Sequence, residues 1–266
     1  GHTYAAQLHL DPQGQLTLQQ LRALHDDIAL LEMLTEPQNQ LCGLDVPLSL
    51  PPCLRCTQNP CPCSFNTWAQ LLELPQQTFF HYRLCDVLIR KKFPHLTPKP
   101  PISNGGPVDI TPLTLRWQRL NRANPQLPLH KIVEVYVSGS VQLLAEFMQL
   151  TPHKQRFPYR SSNVYRARML HALQHTFPLT IPRPLQEPLQ HNEDAFDALI
   201  AALCTCFAEQ GWFYPPHTML ETTLSTTPVG TAMKPLIPTA VHTEMLQTLS
   251  KRCPCLPLLP TTAPTR

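Results

Sequence analysis

Four acidic side chains stand where an acid is costly or pointedly placed. Asp45 lies in "GLDVP" between Leu44 and Val46, and Glu134 lies in "IVEVYV" between Val133 and Val135. Asp194 and Asp197 are three residues apart in "EDAFDAL", a spacing that puts both on one face of a helix. A carboxylate inside an apolar strand is expensive to bury unless it is paired or bound to a cation. Two such acids at neighbouring strand ends, joined by a helix face that offers one or two more, would form an oxygen-rich cluster. Hard cations such as Mg²⁺ or Mn²⁺ take that ligand set. Paired ions so held hydrolyse phosphodiesters: one generates the nucleophile and the other stabilises the leaving oxygen. Each acid also has a plainer reading. Asp45 suits a strand-end turn before Pro47, Glu134 suits the solvent side of an edge strand, and Asp194 suits a helix N-terminus through the dipole. Asp197 is further inside its helix and harder to account for in this way.

A second chemistry follows Asp45 directly. Cys53, Cys56, Cys61 and Cys63 have the spacing C-x2-C-x4-C-x-C within a Pro-rich loop. The first pair is a zinc half-site, and the second is tight for a knuckle. A structural Zn²⁺ that ties down the loop is the leading reading. The alternatives are three of these with Cys85 or a histidine, an iron–sulfur cluster, free thiols, or disulfides. The chain has ten cysteines and no secretory signal at its start, which points to a reducing cytoplasm. Cys204 and Cys206, two apart on a helix, read as core packing.

Basic residues gather in two places. Arg83, Arg90, Lys91 and Lys92 lie on or just after one predicted helix. Lys154, Arg156, Arg160, Arg166 and Arg168 follow Glu134. Either cluster could grip phosphates or form a solvated helix face. The net charge of +3 permits a nucleic-acid partner without predicting one, and aromatics at 7% are not interleaved with basic residues as in single-strand binders. No apolar run approaches the 18 residues of a membrane span.

These groups need a scaffold. Residues 3–10 alternate, meet the turn "DPQGQ", and resume at Leu16 and Leu18, which reads as a hairpin. Thr17 can cap a helix with Leu21, Leu24, Ile28 and Leu31 on one stripe. Residues 40–46 form a short strand stopped by Pro47. Helices are expected at 65–72, 79–91, 113–121, 141–150, 162–177 and 192–210. The last has Asn192 as N-cap and Gly211 as its stop. Residues 131–137 form a β-branched strand. The order of elements predicts an α/β fold with a mixed central sheet flanked by helices. Its domain would span 1–218, with 47–113 as a Cys/Pro-rich insertion and 219–266 as a Thr/Pro-rich extension.

The segments "GLDVPLSLP", "RLCDVLIRK", "IVEVYVSG", "RARMLHAL" and "EDAFDALIAALCTC" resemble, in order, the motifs of the DUF429 family of predicted nucleases with an RNase H-like fold. The resemblance spans roughly residues 3–216. It implies that Asp45, Glu134, Asp194 and Asp197 line the site, and that Arg83 and Asp86 of "RLCD" face it. Arg90, Lys154 and Arg168 are taken as further substrate contacts. The family pattern has an earlier strand ending in Gly-x-Asp. This chain starts at Gly1-His2, which reads as a tag remnant where that strand should end, so one acid of the set is missing unless residues precede Gly1. Val137 stands where the family has Pro. The function expected is a divalent-metal-dependent nuclease. Its rivals are a non-catalytic RNase H-like scaffold with a zinc clip and a phosphate-ester or phosphotransfer enzyme, though the only phosphate-loop-like run is "NGG".

Overall fold

A computed structural model of the chain describes residues 3–48, 50–51, 73–75, 78–102, 110–152, 154–209 and 229–230. The four cysteines Cys53, Cys56, Cys61 and Cys63, the helix expected at 65–72 and most of the 219–266 extension lie outside them. The fold is mixed α/β with small sheets.

Strand β1 (Thr3–Leu10) and strand β2 (Leu16–Leu24) form an antiparallel hairpin. Asp11 closes its turn: one Oδ1 accepts from the Gln13 N–H at 2.9 Å and the Gln15 N–H at 2.8 Å. Gly14 takes φ +83° there, which costs glycine nothing. The register jumps from Gln7↔Gln20 to Leu8↔Leu18, leaving Gln19 as an extra residue on β2. Such a bulge reverses which face the following residues point to. Leu16 and Leu18 before it and Leu21 after it therefore serve one core, while Leu24 joins another. Leucines spaced at 18, 21 and 24 imitate a helical stripe, which is why the sequence suggests a helix capped by Thr17. The helix α1 (Asp27–Thr35) begins later, with Asp26 accepting from the Ala29 N–H at 2.8 Å. It buries Leu30 and Leu34 and leaves Ile28 in solvent.

Strand β3 (Cys42–Leu44) and strand β4 (Ile132–Val135) pair in parallel, with Leu44 opposite Glu134. Between them lie α2 (Thr78–His81), α3 (Leu84–Lys92) and α4 (Thr111–Ala123). The single helix expected at 79–91 is thus broken at Tyr82–Arg83. After β4 come α5 (Val137–Phe147), which starts four residues before its expected position, and α6 (Asn163–Thr176). Strand β5 (Leu179–Thr180) pairs in parallel with the start of β2. Next is α7 (Arg183–His191), hidden in the sequence by two prolines: Pro184 is harmless in the first turn, and Pro188 forfeits one helical hydrogen bond. Helix α8 (Glu193–Glu209) follows, its Ala195 N–H capped by Asn192 at 3.0 Å. Strand β6 (Val229–Gly230) pairs with β4.

The strands separate two cores. One lies against α5, α6, α7 and α8 and includes Leu18, Val135, Met169, Phe196 and Leu199. The other, on the opposite face, joins Ala5, Leu24, Leu34, Cys42, Trp117 and Ile132. Alternation assigns Val135 to the first face and Ile132, hence Glu134, to the second. No helix among the described residues is long and apolar enough to cross a membrane.

Helix α8 spans both sheets and touches β3 where Gly43 offers no side chain. A methyl group at Gly43 would strike Thr205 Oγ1 and come within 2.8 Å of the Ala201 carbonyl oxygen. Gly43→Ala is therefore expected to cost about 1–3 kcal/mol, read as a lower urea midpoint. An unchanged midpoint would mean that β3 and α8 do not meet this closely.

Candidate functional site

Glu134 occupies the centre of a buried ionic network. The Arg83 guanidinium donates to both of its oxygens, at 2.5 Å to Oε2 and 2.6 Å to Oε1. The same guanidinium donates to Asp86 at 2.9 Å and 2.8 Å, and the Arg83 backbone N–H reaches Asp86 Oδ2 at 2.9 Å. One planar cation thus joins two carboxylates edge to edge, which arginine's fork allows and lysine's ammonium does not. All three side chains are buried. Burial holds the Glu134 carboxyl above its ordinary range, and Arg83 pulls against that shift.

The network also sets a loop. Glu134 Oε2 accepts from the Leu48 N–H at 2.7 Å, while the Leu48 carbonyl accepts from Trp117 Nε1 at 3.2 Å and Gln118 Nε2 at 2.9 Å. Both backbone groups of Leu48 are therefore held by side chains, three residues beyond Asp45.

Asp45 follows β3 and stands at the N-terminus of α5. The Val137 N–H, one of the donors that a helix start leaves unpaired, reaches Asp45 Oδ1 at 3.4 Å. Asp45 keeps access to solvent but lies among dense protein, and that crowding pushes its carboxyl up to about 6. Val137, Arg160 and Lys99 favour its charged form, and Glu134 opposes it.

Asp197 lies in the second turn of α8. Arg160 pairs with its Oδ2 at 2.8 Å. Its Oδ1 is buried and makes no hydrogen bond of its own among the described residues. The Tyr159 hydroxyl beside this carboxylate is engaged by Arg160 Nε at 3.0 Å. Burial raises the Asp197 carboxyl to about 7; Arg160 opposes the shift and the charge of Asp45 adds to it. Asp45 and Asp197, 152 positions apart in sequence, thus sense each other across the end of β3.

Arg160 owes its position to Arg166. The buried Arg166 donates to the carbonyls of Tyr159 at 2.7 Å, Arg160 at 3.1 Å and Gln190 at 2.7 Å. These bonds fasten the loop before α6 to the end of α7. Lys99 completes the charge pattern: burial, then repulsion by Arg160, depresses its pKa, and Asp45 opposes the shift.

The sequence-predicted residues therefore divide. Asp45 and Asp197 come together. Glu134 is on the other face of the sheet, with its oxygens given to Arg83 and Leu48. Asp194 is exposed on the first turn of α8, and Glu193 is the first-turn acid that Asp197 feels. Arg83 and Asp86 brace Glu134 from inside and do not line the surface. Arg90 stacks over Tyr82 and Arg168 over Tyr165, and Lys154 is an exposed loop residue at φ +65°. Cys42 is a free thiol, and Cys204 lies in the core as expected with Cys206 packed against it. No group of three or more metal-ligating side chains is present among the described residues. Lys99, Tyr159 and Arg160 are the site residues that the acid pattern passes over. Lys99 is embedded in "TPKPP", Arg160 was marked only as one of the basic cluster that follows Glu134, and Tyr159 has no local signal beyond the "PYR" of 158–160.

Comparison with protein-family models, with curated proteins and with solved structures gave no match to this chain.

Two outcomes follow from this electrostatics. The Arg83 side chain donates to both buried acids, so Arg83→Met should cost about 3–5 kcal/mol by urea unfolding at pH 7. Adding Glu134→Gln should recover part of that loss; full additivity of the two substitutions would argue against the network. The second outcome concerns pH. Asp45 and Asp197 have folded pKa values near 6 and 7 against 3.8 unfolded. Between those values the folded chain holds more protons, so their contribution to stability is full below 3.8 and is lost as pH rises through 6 and 7. Urea midpoints of the parent minus those of Asp197→Asn should fall from pH 5 to pH 8. A flat difference would place Asp197 in an ordinary environment.

Proposed function

We propose that this chain is a divalent-metal-dependent hydrolase of nucleic-acid phosphodiesters, with an RNase H-like arrangement of the kind its motifs resemble. The observation that carries the reading is the pair Asp45 and Asp197: the charge of Asp45 raises the pKa of Asp197, Arg160 favours the charged form of both, and Lys99 favours that of Asp45.

The donor set fits a hard cation. Asp197 has a buried oxygen without a hydrogen bond among the described residues, and Asp45 has one long bond from Val137. The charge of Asp45, which disfavours the charged form of Asp197, is the strain that a bound cation would relieve. Asp45 and Asp197 would hold Mg²⁺ or Mn²⁺, which when bound polarises a phosphate oxygen and acidifies a coordinated water.

The chain's own residues do the rest. Arg160 keeps 44% of its side chain exposed while paired with Asp197, so its open edge can receive a phosphate oxygen. Lys99 adds a second cation close to Asp45. Asp45, with a pKa near 6, can take or release a proton close to neutrality. Glu134 acts at one remove by fixing Leu48 and hence the segment that carries Asp45. The zinc clip at Cys53, Cys56, Cys61 and Cys63 remains part of this proposal as a structural ion, separate from the chemistry.

A second reading, a non-catalytic scaffold, draws support from Asp197 and Glu134 already being paired with arginines. Calorimetric titration with Mg²⁺ and Mn²⁺, and cleavage of labelled DNA and RNA, separate the two. The hydrolase reading expects metal-dependent cleavage. Asp45→Asn and Asp197→Asn should each reduce it by more than the roughly 10–100-fold that outer-shell partners of a metal are worth. Asp194→Asn, on the exposed turn, should have a smaller effect. Folded protein that neither binds the ions nor cleaves any of these substrates would leave the scaffold reading.

A further inference from the structure

We propose a separate binding site for a divalent transition-metal ion on the outer face of α6, formed by His171 and His175. The two residues are one turn apart, the spacing at which helical histidines share a face and can ligate one metal ion. Both are exposed. Their Nε2 atoms converge to 3.1 Å, with ring centroids 4.2 Å apart and planes tilted by 55°.

That separation suits chelation. With metal–nitrogen bonds of roughly 2.0–2.1 Å, two nitrogens 3.1 Å apart subtend an angle of about 95–100° at the ion. The value lies between the octahedral and tetrahedral angles, so neither ring has to move far. A direct hydrogen bond between the two neutral rings is the competing use of this geometry, but at an exposed position it competes with water and contributes little.

Two further features favour a cation here. His175 is in the last turn of α6, where the unpaired carbonyls carry the negative end of the helix dipole. Arg168, the cation one turn before His171, has its guanidinium 5.5 Å from the centroid of the Tyr165 ring. Imidazole pairs select Zn²⁺, Ni²⁺ or Cu²⁺ over Mg²⁺ and Ca²⁺, so this site and the carboxylate site do not compete for one ion. Two protein ligands leave the remaining positions to water or to a ligand from solution.

Ni²⁺ is the probe, because it does not oxidise cysteine thiols. Calorimetric titration of the full chain and of His171→Gln and His175→Gln reads the site as a difference, which removes the background from cysteines elsewhere. The second ligand binds intramolecularly, so each variant should lose about tenfold or more in affinity for one Ni²⁺ equivalent. Crystals soaked in Ni²⁺ should show an anomalous peak between the two Nε2 atoms. Both substitutions are at exposed positions, and circular dichroism will show that the variants remain folded. Isotherms unchanged in both variants, or anomalous peaks only elsewhere, would overturn the assignment.

Discussion

A carboxylate at the end of a buried parallel strand has to be answered by something, and here one guanidinium answers it. Glu134 is enclosed between β4 and α3, and Arg83 supplies donors to both of its oxygens while holding Asp86 with the rest of its fork. Much follows from that constraint. The break between α2 and α3 falls at Arg83, whose backbone N–H is capped by Asp86. Glu134 in turn captures the Leu48 N–H, and Trp117 and Gln118 of α4 capture the Leu48 carbonyl. The segment after Asp45 is thereby tied to two elements distant in sequence, β4 and α4. A buried ionic network of this kind is costly in isolation. Its return is the fixed path of the chain next to the candidate site.

Strand parity decides which acids can meet. Asp45 and Glu134 come from adjacent parallel strands, yet a strand turns successive side chains to opposite faces. Glu134 shares the face of Ile132, towards Trp117, while α8 and Asp197 lie on the face of Val135. Asp45, just beyond the end of β3, is released from that alternation and can approach both neighbourhoods. The same logic operates in the hairpin, where the extra residue Gln19 re-phases β2 so that one strand feeds two cores. Gly43 lets α8 approach β3 closely enough to bring Asp197 to the sheet end.

The electrostatics of the site are those of acids whose counterions offset burial only in part. Arg160 satisfies one oxygen of Asp197, but burial and the charge of Asp45 still favour the protonated acid. Lys99 and Arg160 repel each other near the same carboxylate. A cation between the acids and an anion across the basic groups would relieve both strains, as the proposed hydrolase would require. Arg166 holds the loop bearing Arg160 through three carbonyls rather than through a carboxylate, so it positions that loop without cancelling the site's charge.

Several features were legible in the sequence because they depend on local chemistry. The hairpin with its Asp11–Gly14 turn, the β-branched strand at 132–135, the Asn192-capped helix α8 and the mixed α/β class follow from turn residues, periodicity and caps. Asp45 and Asp197 were marked as acids set in apolar sequence, and burial raises both carboxyls above their ordinary range. Other features were decided only by tertiary structure. The bulge at Gln19 turned an apparent helical stripe into a strand, because helix-like spacing can arise from re-phased alternation. Helix α7 was hidden by prolines whose cost is offset when Leu189 is buried in the core. Glu134 and Asp197 were separated by the faces of a sheet, and Arg83 was drawn from a surface role to a buried one. Lys99 and Tyr159 entered the site through loops that carry no periodic signal. Sequence thus marks which side chains require a partner. Only the packed chain determines which partner is within reach, because that depends on strand register and helix approach among residues far apart in the chain.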